Sequence, residues 1–295
     1  MRKDPTHIDV ATYYERAWTI LAQWYHVEKT LCIHYGYHDT TTKGFIASIY
    51  RMNDLVAELL QIKSKKPTKL LDAGCGVGGT SIYLAKKYPN SEFIGITNTP
   101  KQVEMGTKFI QERNLSNCQI LYGDYTQTNF PNDYFDDIFA IESVSYASEL
   151  SNFLKEMNRI LKPGGKLIIL DGFQTDKKIN TFIKRIYKAF LYGRGYQTLE
   201  MWPLQSYLKL LKQNGFYDIY HKDISTHVAR TQIRGVLLAI PFFISFLLKY
   251  IFTLGKINSK NNYSDFSIGV SVLTPFIALT NTSRYYMTYS TKKER

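Results

Sequence analysis

Cysteine is scarce in this chain: Cys32, Cys75 and Cys118 are the three in 295 residues. They are odd in number and far apart, and no CxxC pair or Cys/His cluster with zinc spacing occurs. That pattern excludes a disulfide frame and a structural metal, so no metal site is expected. It fits a reducing compartment. The opening residues MRKDPTHIDV lack the apolar core and small-residue cleavage site of a secretory signal, and the Arg/Ser-rich, acid-poor look of a transit peptide. A cytoplasmic location is expected, with membrane association left open. An uninterrupted apolar run of ~20 residues, which a spanning helix wants, is also missing. The oiliest stretch, GVLLAIPFFISFLLKYIF at 235–252, contains Pro241 and meets Lys249 after 14 residues. Internal repeats and low-complexity tracts are absent.

Acid is missing from one half. Residues 1–175 hold 19 Lys+Arg and 19 Asp+Glu, whereas residues 176–295 hold 18 basic and 6 acidic residues. The whole net charge of +12 therefore sits in the last 120 residues. A neutral module is followed by a basic one, which could meet nucleic acid, an anionic membrane surface or an anionic ligand. With 44% hydrophobic and 21% charged residues, disorder is excluded.

Residues 8–31 carry apolar side chains at helical spacing without Pro or Gly, and 45–62 read as an amphipathic helix. From Lys69 the pattern changes. Strands are expected at 69–73, 92–96, 118–122, 135–141 and 166–170, alternating with helices at 80–87, 100–113 and 151–161. That alternation implies a parallel sheet covered on both faces. Beyond 175, a helix is expected at 204–213, and strands at 216–224 and 284–290, with a hydrophobic insertion at 227–280. The expected fold is α/β, a Rossmann-like seven-stranded, mostly parallel sheet with helices on both faces. The boundaries read as a helical N-terminal cap at 1–62, a cofactor-binding core at 63–175, and a basic, apolar part at 176–295. That last part completes the sheet and forms a lid.

Leu71-Asp72-Ala73-Gly74-Cys75-Gly76-Val77-Gly78-Gly79 links the first strand to the next helix. Glycines there allow positive φ, close approach of a ligand to the backbone and tight strand–helix packing. Asp72 could accept a hydrogen bond from a bound amine or from the backbone. A dinucleotide fold wants an acid at the end of the second strand to hold a ribose. This chain has Thr97 and Asn98 there, which can hydrogen-bond ribose hydroxyls or cap the helix that starts near Pro100. Gln102 follows in that helix, facing either ligand or solvent. The third strand ends in Asp124 and Tyr125, which read as an adenine site or as a turn.

The segments LDAGCGVGGTSIYLA, GITNTPKQVEMG, GDYTQTNFPNDYFD, FAIESVSYA and NRILKPGGKLIILDGF follow one another in order. Together they resemble class I S-adenosylmethionine-dependent methyltransferases, and within them the group of sterol C24- and tocopherol methyltransferases. The Ala140-Ile141-Glu142 run and the His34-Tyr35-Gly36 stretch are similar to features of that group. The resemblance implies S-adenosylmethionine as cofactor. Asp72, Gly74, Gly76 and Gly78 would lie at its methionine part, Thr97, Asn98 and Gln102 at its ribose, and Asp124 and Tyr125 at its adenine. Glu142 would border the methionine end and the acceptor. Where the group tends to place a Cys-His or similar pair, this chain has Ser145-Tyr146, so Tyr146 joins Glu142 as a candidate catalytic residue. His34 and His38 are candidate replacements for the missing base.

The implied function is methyl transfer to a hydrophobic small molecule: a lipid, sterol, isoprenoid or quinone-like acceptor. The alternatives are an RNA methyltransferase and a non-enzymatic, methyltransferase-like protein that binds membrane. Nucleic acid is disfavoured because the place after the fourth strand reads Glu142-Ser143-Val144-Ser145 rather than Asn/Asp-Pro-Pro-Tyr, and the basic half is very apolar. The run 235–252, with Arg230, Arg234, Lys249, Lys256 and Lys260 in or beside it, reads as an acceptor lid, a membrane-surface helix or one of a buried helix pair, with a transmembrane helix disfavoured. A second apolar run, 270–279, could pair with it. Calorimetric titration with S-adenosylhomocysteine checks the cofactor reading. The wild type is expected to bind, and Gly74→Arg to lose binding, because a long side chain would fill the loop.

Overall fold

The computed structural model describes residues 10–62, 67–178, 180–193, 201–252, 270–274, 277 and 280–294. Three helices come first: α1 (Val10–Trp24), the single turn α2 (Val27–Thr30) and α3 (Phe45–Leu60). The core then alternates β1 (Lys69–Ala73), α4 (Gly79–Lys87), β2 (Glu92–Thr97), α5 (Pro100–Glu112), β3 (Cys118–Tyr122), β4 (Asp137–Ile141), α6 (Leu150–Ile160) and β5 (Lys166–Gln174). After it come α7 (Thr181–Gly193), α8 (Leu204–Gln213), β6 (Phe216–Asp223), α9 (Ser225–Phe252) and β7 (Ser283–Lys292). Single 3-10 turns lie at Val144–Tyr146 and Val270–Leu273.

All seven strands form one sheet in the order β3-β2-β1-β4-β5-β7-β6. The first five are parallel, and β7 runs antiparallel between β5 and β6. Central strands are apolar on both faces because helices cover both. In β5 the alternation is plain. Ile168 and Leu170 face a cluster with Met52, Val56 and Phe93, while Leu167 and Ile169 face one with Phe153, Met157 and Leu211. In α6 the buried residues Leu150, Phe153, Leu154, Met157 and Ile160 recur at i, i+3 and i+4, the spacing that puts one helical stripe on a sheet. β6 is an edge strand, largely exposed, with a register irregularity between Tyr217 and Tyr220 and charged Lys222 and Asp223 along it. Those features discourage pairing with another chain.

The structure bears out the expected α/β class and mostly parallel sheet. It differs in detail. Phe135 forms an isolated bridge to Leu161 outside β4. The insertion begins with one helix of 28 residues that starts directly after β6 and carries Pro241 inside it. Arg230 and Arg234 lie on it, while Lys256, Lys260 and the side chain of Lys249 are outside the described residues. Of the run 270–279, residues 270–274 and 277 are described.

The N-terminal cap is fastened to the core by a buried polar network. The Thr80 hydroxyl donates to Asn53 Oδ1 at 2.9 Å, His34 Nε2 lies 3.0 Å from the same oxygen, and the Asn53 amide reaches Cys32 Sγ at 3.6 Å. Asn53 is fully buried on α3. Leaving buried polar partners unsatisfied costs ~1–3 kcal/mol. Asn53→Ala is therefore expected to lower stability by about 2 kcal/mol, read as a shift in the midpoint of urea unfolding.

Candidate functional site

The carboxyl ends of β1 to β4 open onto one cavity of about 1240 Å³, mouth included. The loop after β1 shapes its floor. Gly74, Gly76 and Gly78 all have positive φ, at 86°, 58° and 83°. Two of them are also held by packing. A Cβ at Gly74 would stand 2.4 Å from Ser143 Cβ, and one at Gly78 would stand 2.6 Å from Ile120 Cδ1. Gly76 differs: a Cβ there would meet nothing within 4 Å. Gly74 and Gly76 line the cavity, whereas Gly78, also expected at the cofactor, does not and serves the packing against Ile120 instead. The bare backbone at Gly76 is a cradle that a ligand can approach closely.

The other expected cofactor residues converge on this cavity. Asp72, Thr97, Asn98, Gln102, Asp124 and Tyr125 all line it. Asp72 is buried and accepts a hydrogen bond from the Ser81 hydroxyl at 2.7 Å, and burial pushes its carboxyl up to about 7. Gln102 is buried rather than solvent-facing, its amide oxygen accepting from Thr97 at 2.7 Å. The N-cap residue of α5 is Thr99, and Thr97 and Asn98 stand before it: the Thr97 hydroxyl accepts from Thr99 N–H at 3.4 Å and Asn98 Oδ1 accepts from the Thr99 hydroxyl at 3.3 Å. Asp124 Oδ1 accepts from both the backbone and the hydroxyl of Thr126 at 2.7 Å, so it forms the turn as well as lining the cavity. Tyr125 donates to the Ser143 carbonyl at 2.8 Å and sets its ring edge-on to Phe153.

A second cavity of about 1200 Å³ lies alongside, lined by Tyr13, Trp24, Tyr25, Tyr35 and Phe190 among others. Gln232, Gly235 and Val236 of α9 form part of its wall. Tyr14, Ile33, Glu142 and Tyr146 line both cavities, so they are the partition between them. Glu142 follows β4 with φ 50°, a left-handed conformation rare outside glycine. Its Oε1 accepts from the Tyr35 backbone N–H at 2.6 Å and from the Tyr285 hydroxyl at 3.0 Å. Tyr146 packs edge-on to Tyr14, with ring centroids 6.2 Å apart.

The two histidines stand elsewhere. His34 is buried, lines the first cavity and not the second, and both its ring nitrogens are engaged: Nδ1 lies 3.0 Å from the Tyr35 carbonyl oxygen, Nε2 against Asn53. Burial holds its pKa below the ordinary histidine value. His38 lines neither cavity and lies 3.3 Å from the Thr231 hydroxyl. The geometry thus places neither at the second cavity.

Two residues of the site, a carboxylate and a phenol, escaped the sequence reading. Asp171 is buried in β5 and lines the second cavity. It accepts from Ser145 N–H at 2.9 Å and Gly172 N–H at 2.7 Å, and burial pushes it up to about 6. An acid directly following the apolar run Lys166–Leu170 was the available signal. Tyr285 comes from β7, and nothing in its sequence surroundings marks it.

A family model for a methyltransferase domain matches residues 71–169. The chain is 30% identical over 197 residues to a sterol 24-C-methyltransferase of Neurospora crassa, covering 66% of this chain and 50% of that protein. It is 32% identical over 217 residues to a probable chloroplastic tocopherol O-methyltransferase of Oryza sativa, covering 67% and 57%. The chain thus spans about half the length of the curated relatives it matches. In fold it is similar to the cyclopropane synthase of Mycobacterium tuberculosis, with TM-score 0.74 at 15% identity over 97% of this chain and 99% of that one. The glycine cradle at the end of β1, the sheet order with its reversed β7 and the matched segment agree, and the chain carries a methyltransferase domain of the class I, S-adenosylmethionine-dependent kind.

Proposed function

We propose that this chain transfers a methyl group from S-adenosylmethionine to a hydrophobic small molecule: a lipid, sterol, isoprenoid or quinone-like acceptor. The observation that carries this is the pair of cavities sharing a wall of Tyr14, Ile33, Glu142 and Tyr146. The named relatives act on a sterol and, for the rice protein, tocopherol, which are hydrophobic molecules.

The cofactor, when bound, supplies a methyl already activated by its positive sulfur. Asp72 and the Gly74–Gly78 loop would hold its methionine part, Thr97 and Gln102 its ribose, and Asp124 and Tyr125 its adenine. The chain's own work is to align the acceptor and exclude water, and orientation alone is worth ~7–11 kcal/mol. Glu142 and Asp171 place two carboxyl groups, against Arg284 as the one cation among the described lining residues, in a chamber that also carries the rings of Tyr13, Trp24, Tyr25 and Tyr35. Carboxylate and ring faces together favour positive charge on the acceptor, whether a carbocation or an ammonium. An RNA acceptor gains no support from a chamber walled by tyrosines, and the intact glycine loop speaks against a protein that only binds membrane.

Incubation of the enzyme with methyl-labelled cofactor and a crude lipid extract is expected to put label in the organic phase. Label recovered only in an RNA fraction would reverse the acceptor class. Glu142→Gln keeps an acceptor for Tyr35 and removes the charge, so kcat should fall on the order of 100-fold while S-adenosylhomocysteine affinity changes far less. A pH series tests Asp72. Its folded pKa is raised, so the free protein holds a proton that the unfolded chain releases. That stabilisation is full below the unfolded value near ~3.9 and is lost as pH rises through about 7. A cationic amine needs the carboxylate, so S-adenosylhomocysteine should bind more tightly as pH rises from 5.5 to 7.5 (about two units spanning the folded value). Asp72→Asn should flatten that dependence in calorimetry.

A further inference from the structure

Helix α9 has two faces of different kinds. One belongs to the fold. Val228, Thr231 and Ala239 are buried on it, Phe242 stacks edge-on against Trp24, and Gln232, Gly235 and Val236 line the second cavity. The opposite face is an apolar stripe in water: Ile233, Leu237, Ile240, Ile244, Leu247, Leu248 and Ile251. These recur at i, i+3 and i+4, so they share one side of the helix. Leu237 and Ile251 are each 62% exposed. An apolar row that long on a soluble protein marks a contact surface.

The charge beside it selects the partner. No Asp or Glu occurs anywhere in Ser225–Phe252, which carries Arg230, Arg234 and Lys249. No Asp or Glu occurs in α7 either, whose exposed residues include Lys184, Arg185 and Lys188 next to the exposed Phe182. Both helices pack on the turn at Val270–Leu273. Exposed aliphatic side chains on an acid-free, basic ground fit anionic lipid headgroups over an acyl layer.

Residues Ser225–Ser245 of α9 are long and apolar enough to cross a bilayer. The inner face says that they do not. The Ser225 hydroxyl accepts from Tyr285 N–H at 2.9 Å, and the Thr231 hydroxyl accepts from Gly36 N–H at 3.1 Å. The Arg234 guanidinium sits over the Phe45 ring and bonds the Trp24 carbonyl. Crossing would strip the helix from these partners and open the second cavity.

We propose that α9 lies in the plane of an anionic lipid surface, its outer stripe in the acyl region, and that the acceptor enters the second cavity from that surface along the helix's inner face. The docking stands on the stripe and the charge; the route of entry rests on the acceptor reading above. Vesicle flotation tests it, with vesicles of phosphatidylcholine alone and vesicles with added phosphatidylserine. The full chain should float with the serine lipid, less so at high salt. Leu237→Glu with Ile244→Glu should reduce flotation to background while S-adenosylhomocysteine affinity, measured by calorimetry, stays at the wild-type value. Lys184→Glu with Arg185→Glu should weaken binding about 30-fold. Absence of the wild type from both vesicle types would overturn the proposal. So would unchanged flotation of the Leu237/Ile244 variant, or its loss of self-association in light scattering with no vesicle binding in the parent. Failure of the parent to bind S-adenosylhomocysteine would instead strike the methyl-transfer reading and leave docking to the vesicle result.

Discussion

One oxygen atom, Oε1 of Glu142, joins three distant parts of the chain. It receives the Tyr35 backbone N–H from the N-terminal segment and the Tyr285 hydroxyl from β7, and it belongs to the residue that directly follows β4. Hydrogen bonds to a carboxylate are stronger than neutral ones, at roughly 1.5–3 kcal/mol each. They hold Glu142 in a left-handed conformation that it would otherwise leave. The partition between the two cavities is built around that residue. Without the cap, Tyr35 and Ile33 would be gone from the second chamber. Without β7, the hydroxyl on the other side would be gone. The site is thus a property of the assembled fold rather than of the sheet's loops alone.

The first cavity was readable in the sequence because its chemistry is local. Strand, glycine loop and helix lie within Lys69–Lys87, and the positive φ angles fall on the glycines that the spacing picks out. Gln102 was ambiguous on a helical wheel and is settled by burial, because Thr97 turns its hydroxyl onto the Gln102 amide. The second cavity was much less legible. It is built from α1, α7, α9 and β7, whose residues meet through long-range packing. Tyr285 earns its place from antiparallel register, with Tyr285 opposite Gly172 and Tyr286 opposite Asp171, and no window of sequence encodes that pairing. Histidine misled for a related reason. His34 stands in the expected stretch, yet its ring is absorbed by Asn53 and Tyr35 in joining cap to core.

Asp72 and Asp171 show how one environment does two jobs. Both are buried acids within strands of the sheet, and burial raises both, to about 7 and about 6. Asp72 has one hydroxyl partner and faces the first cavity. Asp171 has two backbone N–H donors, which hold its charged form against desolvation, and faces the second. The protein therefore carries one easily protonated carboxyl on each side of the Glu142 partition.

The reversed strand has a further consequence, for the order in which the protein can be made. β7 lies between β5 and β6 in space but after both in the chain. During synthesis β6 has no neighbour to pair with until residues 283–292 emerge. Until then β5, which is buried along most of its length, presents a nine-residue open edge. Such an edge is a template for pairing with other chains. The nascent protein is thus most exposed to aggregation late, when nearly all of it is already folded, and the strand that closes the sheet also delivers Tyr285 to Glu142.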